Sequence, residues 1–349
     1  MLNSIGYSVY LSNFEEQKEQ LSKIYTKDSY IFTTFHMSEE FDNTYIERAM
    51  DMCSYIKNLG FKIIGDVSRK TLEFFQVDSL IKFAKQMNLS ILRIDYGFTE
   101  EEILELAEQM PICINASTVT DDFIHTIASK NLDVYGIHNF YPRPETGLDE
   151  ELFRTLNKKL KENGIKVLAF AAGDISKRGP VYEGLPTLEA HRYTATYAAT
   201  LDLLLNYGVD GVFIGDGIIS KYQADLIFGF IDTNIINLPV EFNDMGKELY
   251  EKEFTIRVDS PRWLKRLQES REYSCFGREI TPEECKVRSV GSVTIDNISY
   301  QRYSGEIQII VEELPADEKV NVIGHIPKEY HILLKSIKNG TKIRFVKPI

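Results

Sequence analysis

Eight short apolar runs recur through the first part of the chain, and most are followed by a helical pattern. They cover residues 5–11, 30–35, 61–67, 91–96, 112–116, 134–140, 165–172 and 211–215. Between them, apolar residues fall at helix spacing, as at Ile103, Leu104, Leu106 and Ala107. The helical segments stop at signals such as Asn58-Leu59-Gly60, Asn163-Gly164 and Tyr207-Gly208. Eight strand–helix units in about 230 residues match the size and count of a (β/α)8 TIM barrel. A doubly wound sheet is the alternative. It loses its usual support, because no G-x-G-x-x-G follows the first strand.

From about residue 234 the character changes. Short alternating segments appear at 254–258, 286–295, 306–311, 319–323 and 342–346. Turn residues separate them, for example Asp296-Asn297, Pro315-Ala316-Asp317 and Asn339-Gly340. The reading is therefore a barrel over residues 1–233 and a small, mostly β domain over 234–349, which a chain of 349 residues can accommodate.

Composition narrows the function. The formal net charge is −12, which argues against a nucleic-acid binder or a protein that sits on anionic membranes. No stretch reaches the length of a membrane span. The first ten residues carry neither a basic segment nor a long apolar run, so a cytoplasmic location is expected. Cys53, Cys113, Cys275 and Cys285 show no C-x-x-C spacing and read as reduced thiols. The six histidines form no H-x-x-x-H or H-E-x-x-H, and neither a P-loop nor a nucleophile elbow is present. No metal or cofactor is expected, and self-association is left open.

The C-terminal ends of TIM-barrel strands carry the active site. In this chain those ends read Asp66, Asp95, Asn115, His138-Asn139, Asp174 and Asp216. Strand parity points Arg93 and Asp95 inward, because Leu92 and Ile94 then face the helices, and it puts Asp66 inside as well. A single aspartate there is commonly a helix cap. Several around one rim suggest a shared acidic site. Asp66, Asp95, Glu183 and Asp216 are the catalytic candidates.

Two loops supply the binding candidates. Residues 173–192 form a long glycine- and proline-rich connection carrying Lys177, Arg178, Glu183, Glu189 and Arg192. Basic side chains beside glycines suit a phosphate. Residues 138–148 present Arg143 and Glu145 on a stretch stiffened by Tyr141-Pro142-Arg143-Pro144. Asn115, His138 and Asn139 complete the binding set, with His138 equally readable as a satisfied core histidine.

These strings carry a resemblance. The chain resembles the MupG-type 6-phospho-N-acetylmuramidases on residues 138–148, on residues 178–189 with His191-Arg192, and on Ile214-Gly215-Asp216. Arg271-Glu272-Tyr273-Ser274 and Arg302-Tyr303-Ser304-Gly305-Glu306 extend it into the second domain. The resemblance implies a TIM barrel followed by a cyclophilin-like β domain. It also implies a cytoplasmic glycosidase that cleaves the disaccharide MurNAc 6-phosphate–GlcNAc in peptidoglycan recycling. Lys177 and Arg178 then suit the phosphate, and Arg143 or Arg192 the lactyl carboxylate. The alternatives are a barrel enzyme on another phosphosugar (isomerase, epimerase or aldolase) and a non-enzymatic sugar-phosphate-binding protein.

Overall fold

A computed structural model describes residues 4–24, 29–36, 42, 44–217, 219–270 and 279–349. The string Arg271-Glu272-Tyr273-Ser274 and Cys275 lie outside the described residues. The chain divides into two compact units, residues 1–196 with 203–220, and residues 197–202 with 221–349.

The first unit is a closed parallel barrel in sequence order. Its strands are β1 (Ser4–Ser8), β2 (Tyr30–Thr34), β3 (Lys62–Val67), β4 (Ile91–Ile94), β5 (Ile112–Asn115), β6 (Val134–Ile137), β7 (Lys166–Ala171) and β8 (Gly211–Ile214). The connecting helices are α1 (Phe14–Ile24), α2 (Tyr45–Asn58), α3 (Arg69–Phe74), α4 (Leu80–Gln86), α5 (Glu100–Ala107), α6 (Asp121–Lys130), α7 (Glu150–Glu162) and α8 (Thr196–Asn206), whose residues 197–202 are grouped with the second unit. This is a TIM barrel, and all eight apolar runs became its strands. A parallel strand is covered on both faces, so it reads as an unbroken apolar run.

Phe32, Ile64, Ile91, Tyr135, Phe170 and Phe213 fill the lumen, each from a different strand. Each such side chain contributes roughly 1.5–3 kcal/mol on burial. At the N-terminal end of the strands, Lys62 and Lys166 lie over the rings of Tyr30 and Tyr135 at 5.4 and 5.2 Å. Lys62 is exposed there, at the start of β3 and four residues before Asp66. A Schiff-base lysine at the catalytic end is therefore not supplied by this strand.

In the second unit, α9 (Lys221–Thr233) precedes β9 (Ile236–Pro239), β10 (Glu241–Phe242), β11 (Glu253–Thr255), β12 (Leu264–Arg266), β13 (Ser292–Asp296), β14 (Ile307–Ile310), β15 (Val320–His325) and β16 (Lys342–Val346). They build a five-stranded sheet in the order β10-β15-β13-β14-β12 and a three-stranded sheet in the order β11-β16-β9. The segment read as strand from residue 286 begins only at Ser292. β9, β10 and β12 had no counterpart in the sequence reading.

Candidate active site

Register alone assembles the core of the site. Thr34 pairs with Asp66 across β2 and β3, and Asp66 pairs with Arg93 across β3 and β4. All three side chains therefore project on the same side of three neighbouring strands, at their C-terminal ends. His36 and Asp95 continue the same period two residues further along.

One guanidinium nitrogen organises the group. Nη1 of Arg93 donates to Oδ1 of Asp66 at 2.6 Å and lies 2.7 Å from Oδ1 of Asp95. Nη2 donates to Oδ1 of Asn139 at 2.7 Å. On the other side, Nε2 of His36 lies 3.8 Å from Oδ2 of Asp66 and 3.5 Å from Oδ2 of Asp95. Asp66 is 6% exposed, so desolvation is severe. Burial pushes its carboxyl above the usual range, against the pull of Arg93 and His36, and the charge of Asp95 adds to the rise. Burial also opposes the charge on Arg93, but the two aspartates outweigh it and hold the guanidinium protonated. Desolvation of Asp66 thus outweighs its two positive neighbours, and Asp66 is the carboxyl that favours its protonated form.

His36, Asp66 and Asp95 each offer a donor atom within 4.8 Å of the others, a spacing a metal ion could use. However, Arg93 Nη1 already stands between the two carboxylates. It binds their Oδ1 atoms, and His36 faces their Oδ2 atoms.

The remaining sequence-predicted residues lie elsewhere on the unit. His138 is fully buried, with Nδ1 3.1 Å from Ser117 Oγ and Nε2 2.7 Å from Asn157 Oδ1 on α7. Burial pushes it down to about 4. It is a satisfied histidine on the helix side of β6. Asn115 Oδ1 accepts from Ser117 N at 3.0 Å and shapes its own turn. Glu183 Oε2 accepts from Tyr193 Oη at 3.2 Å.

The two loops are zipped together. Tyr141 N donates to Pro186 O, Leu148 N to Thr187 O, and Glu189 N to Leu148 O, each at 3.0 Å. Their fastener is Arg192, whose side chain is fully buried. It forms a two-point pair with Glu189, Nε to Oε1 at 2.7 Å and Nη2 to Oε2 at 2.6 Å. The same guanidinium donates to Gly184 O at 3.2 Å and Arg143 O at 3.1 Å. Glu189 also accepts from the N–H groups of Glu145 and Gly147, at 2.9 and 2.8 Å. A Cβ on Gly147 would come 2.7 Å from Glu189 N, so the close approach requires glycine. Arg192 was proposed as a ligand-binding residue, but its donors are spent on this brace. Arg143 and Glu145 are left with exposed side chains at the rim.

Asp216 has a similar fate. Its carboxylate accepts from Gly173 N at 2.9 Å, Arg178 N at 2.9 Å and Leu185 N at 3.1 Å. Three convergent N–H groups after strand seven are what a phosphate would use. Here the protein's own carboxylate fills them. Lys177 Nζ donates to Gly173 O at 2.5 Å. The guanidinium of Arg178 stacks 3.7 Å above the ring of Tyr10. Burial pushes the Tyr10 phenol well up; Arg178 opposes that, while Asp216 and Asp66 reinforce it. Tyr10 thus stands within electrostatic reach of Arg178, Asp216 and Asp66.

Residues 5–227 match the N-terminal domain, and residues 236–346 the C-terminal domain, of 6-phospho-N-acetylmuramidase. The chain belongs to the MupG family. A crystal structure of a conserved Enterococcus faecalis protein of unknown function is 32% identical, with a TM-score of 0.83 over 99% of this chain and 96% of that one. An uncharacterised Bacillus cereus protein, 24% identical, has a TM-score of 0.77 over 99% of this chain and all of that one, and shares the fold. No curated protein matches.

Within this MupG-family barrel, then, Asp66, Asp95 and Asn139 come together on Arg93, while Asn115, His138, Arg192 and Asp216 serve the scaffold around them. His36 was missed. The apolar run was read as stopping at residue 35, yet the period through Tyr30, Phe32 and Thr34 leads directly to it.

Proposed function

We propose that this chain is a glycoside hydrolase cleaving MurNAc 6-phosphate–GlcNAc, with Asp66 and Asp95 as the reacting carboxyls. The observation that supports this most is the paired arrangement on Arg93, with an oxygen of each carboxyl within 4.8 Å of the other. Retaining glycosidases place their carboxyls about 5–5.5 Å apart, and inverting ones about 6.5–9.5 Å to admit a water. Oxygens of both carboxyls held on one guanidinium nitrogen suit the retaining arrangement. Asp66, whose proton burial retains, protonates the departing glycosidic oxygen. Either Asp95 or the sugar's own 2-acetamido oxygen attacks the anomeric carbon. Water then adds at that carbon and returns its proton to Asp66.

Phosphate recognition falls to Arg178, which stacks on Tyr10, with the exposed Arg143 able to meet a second anionic group at the rim. Lys177 closes its own loop. A role in cytoplasmic peptidoglycan recycling follows from the substrate. The working division remains a catalytic barrel over residues 1–233 and a β domain over 234–349. Among the described residues no helix is long and apolar enough to cross a membrane.

The test is direct. Incubation with MurNAc 6-phosphate–GlcNAc should release the two sugars, read by mass spectrometry. Proton NMR during the first turnovers should show the product anomer matching the substrate. Release of the opposite anomer would rule out this carboxyl pair.

A further inference from the structure

We propose that His36 is a positioning residue for the reaction, holding the second oxygen of both carboxyls and deciding which of them keeps the shared proton. The inference rests on Asp66 and Asp95 being the reacting pair. The four groups close a ring. Arg93 takes Oδ1 of each aspartate, and His36 faces Oδ2 of each. Arg93 carries a fixed charge, so it treats the pair alike at any working pH. His36 faces the pair from the other side with one nitrogen, 3.5 Å from Asp95 and 3.8 Å from Asp66, so it does not treat the two alike.

The groups around the imidazole come from three strands. Thr34 Oγ1 on β2 lies 3.3 Å from Nδ1. Asp66 projects from β3. Asp95 and Tyr96 follow β4, and the Tyr96 ring meets the imidazole edge-on, with centroids 5.8 Å apart. Thr34 and Tyr96 fix the ring plane, which aims Nε2 between the two carboxyls. The aim is unequal, since Asp95 is nearer than Asp66. A proton on Nε2 therefore favours the ionised form of Asp95 and leaves the carboxyl proton on Asp66. That is the division of labour a proton donor and its partner need. Its side chain is 16% exposed, so the ring is shielded without being sealed.

The experiment follows the carboxyl carbons of 13C-labelled aspartate by NMR as pH changes, in the wild type, His36→Gln and His36→Asn. Loss of the group nearer Asp95 should narrow the gap between the two carboxyl titrations by about one pH unit in both variants. In parallel, kcat on the disaccharide should fall about tenfold or more with KM within about threefold. The glutamine variant should retain more activity than the asparagine one, because its amide nitrogen reaches the place of Nε2. Thermal melting checks that both variants fold. An unchanged gap between the two titrations in both variants overturns the assignment whatever the kinetics. A narrowed gap with unchanged kcat overturns it as well. If the gap narrows but the wild type is inert on the disaccharide, the proposed reaction falls, while the hold of His36 on the pair stands.

Discussion

Two buried arginines, Arg93 and Arg192, meet carboxylates in this barrel with opposite results. Arg192 faces one glutamate, bonds both its oxygens, and spends its other donors on backbone carbonyls. The pair is neutral and saturated. Glu189 is pulled down to about 2, first by the Arg192 hydrogen bonds, against some burial, with the N–H groups of Glu145 and Gly147 assisting. Arg93 divides one nitrogen between two aspartates in a drier place, and Asp66 is pushed up instead. The same ingredients make a rivet at one position and a proton store at the other. Burial of the carboxyl decides first: Asp66 is desolvated, with the charge of Asp95 adding to its rise, whereas Glu189 stays partly exposed and has a guanidinium to itself.

The largest effect should separate the two sites by readout. Asp66→Asn and Asp95→Asn should each lower kcat by about 10²-fold or more with melting temperature little changed. The double variant should cost little beyond the worse single one, as for groups that act as a unit. Near wild-type turnover in both single variants would dissolve the contrast. The next effect lies at the other arginine. Glu189→Ala strands a buried guanidinium and should cost about 3–5 kcal/mol of stability, measured by chemical denaturation. A stable variant would mean that solvent reaches Arg192.

Smaller again is Arg178→Ala. It should lose roughly ten- to a hundredfold in kcat/KM on the phosphorylated disaccharide, and far less on the unphosphorylated one, for the loss of a charge-assisted contact. Equal losses on both would move the phosphate to Arg143. The smallest effect is in pH. Glu189 has a folded value of about 2 against a usual 4.5, so its stabilisation is present above 4.5 and is lost as pH falls toward 2. Asp66 runs the other way, since its raised value favours the folded protein at low pH and that contribution fades as pH rises. Glu189→Gln should therefore flatten the acid limb of a stability–pH curve, whereas Asp66→Asn should not.

Much of the barrel was legible in the sequence because parallel strands must be apolar on both faces. The second unit was less so. β12 reads Leu264-Lys265-Arg266 and lies at a sheet edge, where charged residues are tolerated, while β9 runs into Pro239 and β10 has two residues. Within the site, the period of two found Asp66, Arg93 and Asp95, whose places are set by backbone register. The same period places Asn139 with Tyr135 and Ile137, and His138 on the opposite side. What composition could not reveal was occupancy. Arg192 and Asp216 have the right chemistry for a ligand, and only their distances show that the backbone has already claimed them.

The Asp216 carboxylate has one more consequence, for local opening. It belongs to the end of β8, the last strand of the barrel, while the N–H groups it receives belong to the loop after β7. Peeling that loop away would leave a buried anion bare, so the loop is not free to breathe separately from the wall. The amides of Gly173, Arg178 and Leu185 should exchange with solvent at the slow rate of the barrel strands rather than the fast rate typical of long loops. A loop of some twenty residues is thereby given the hydrogen-exchange behaviour of core.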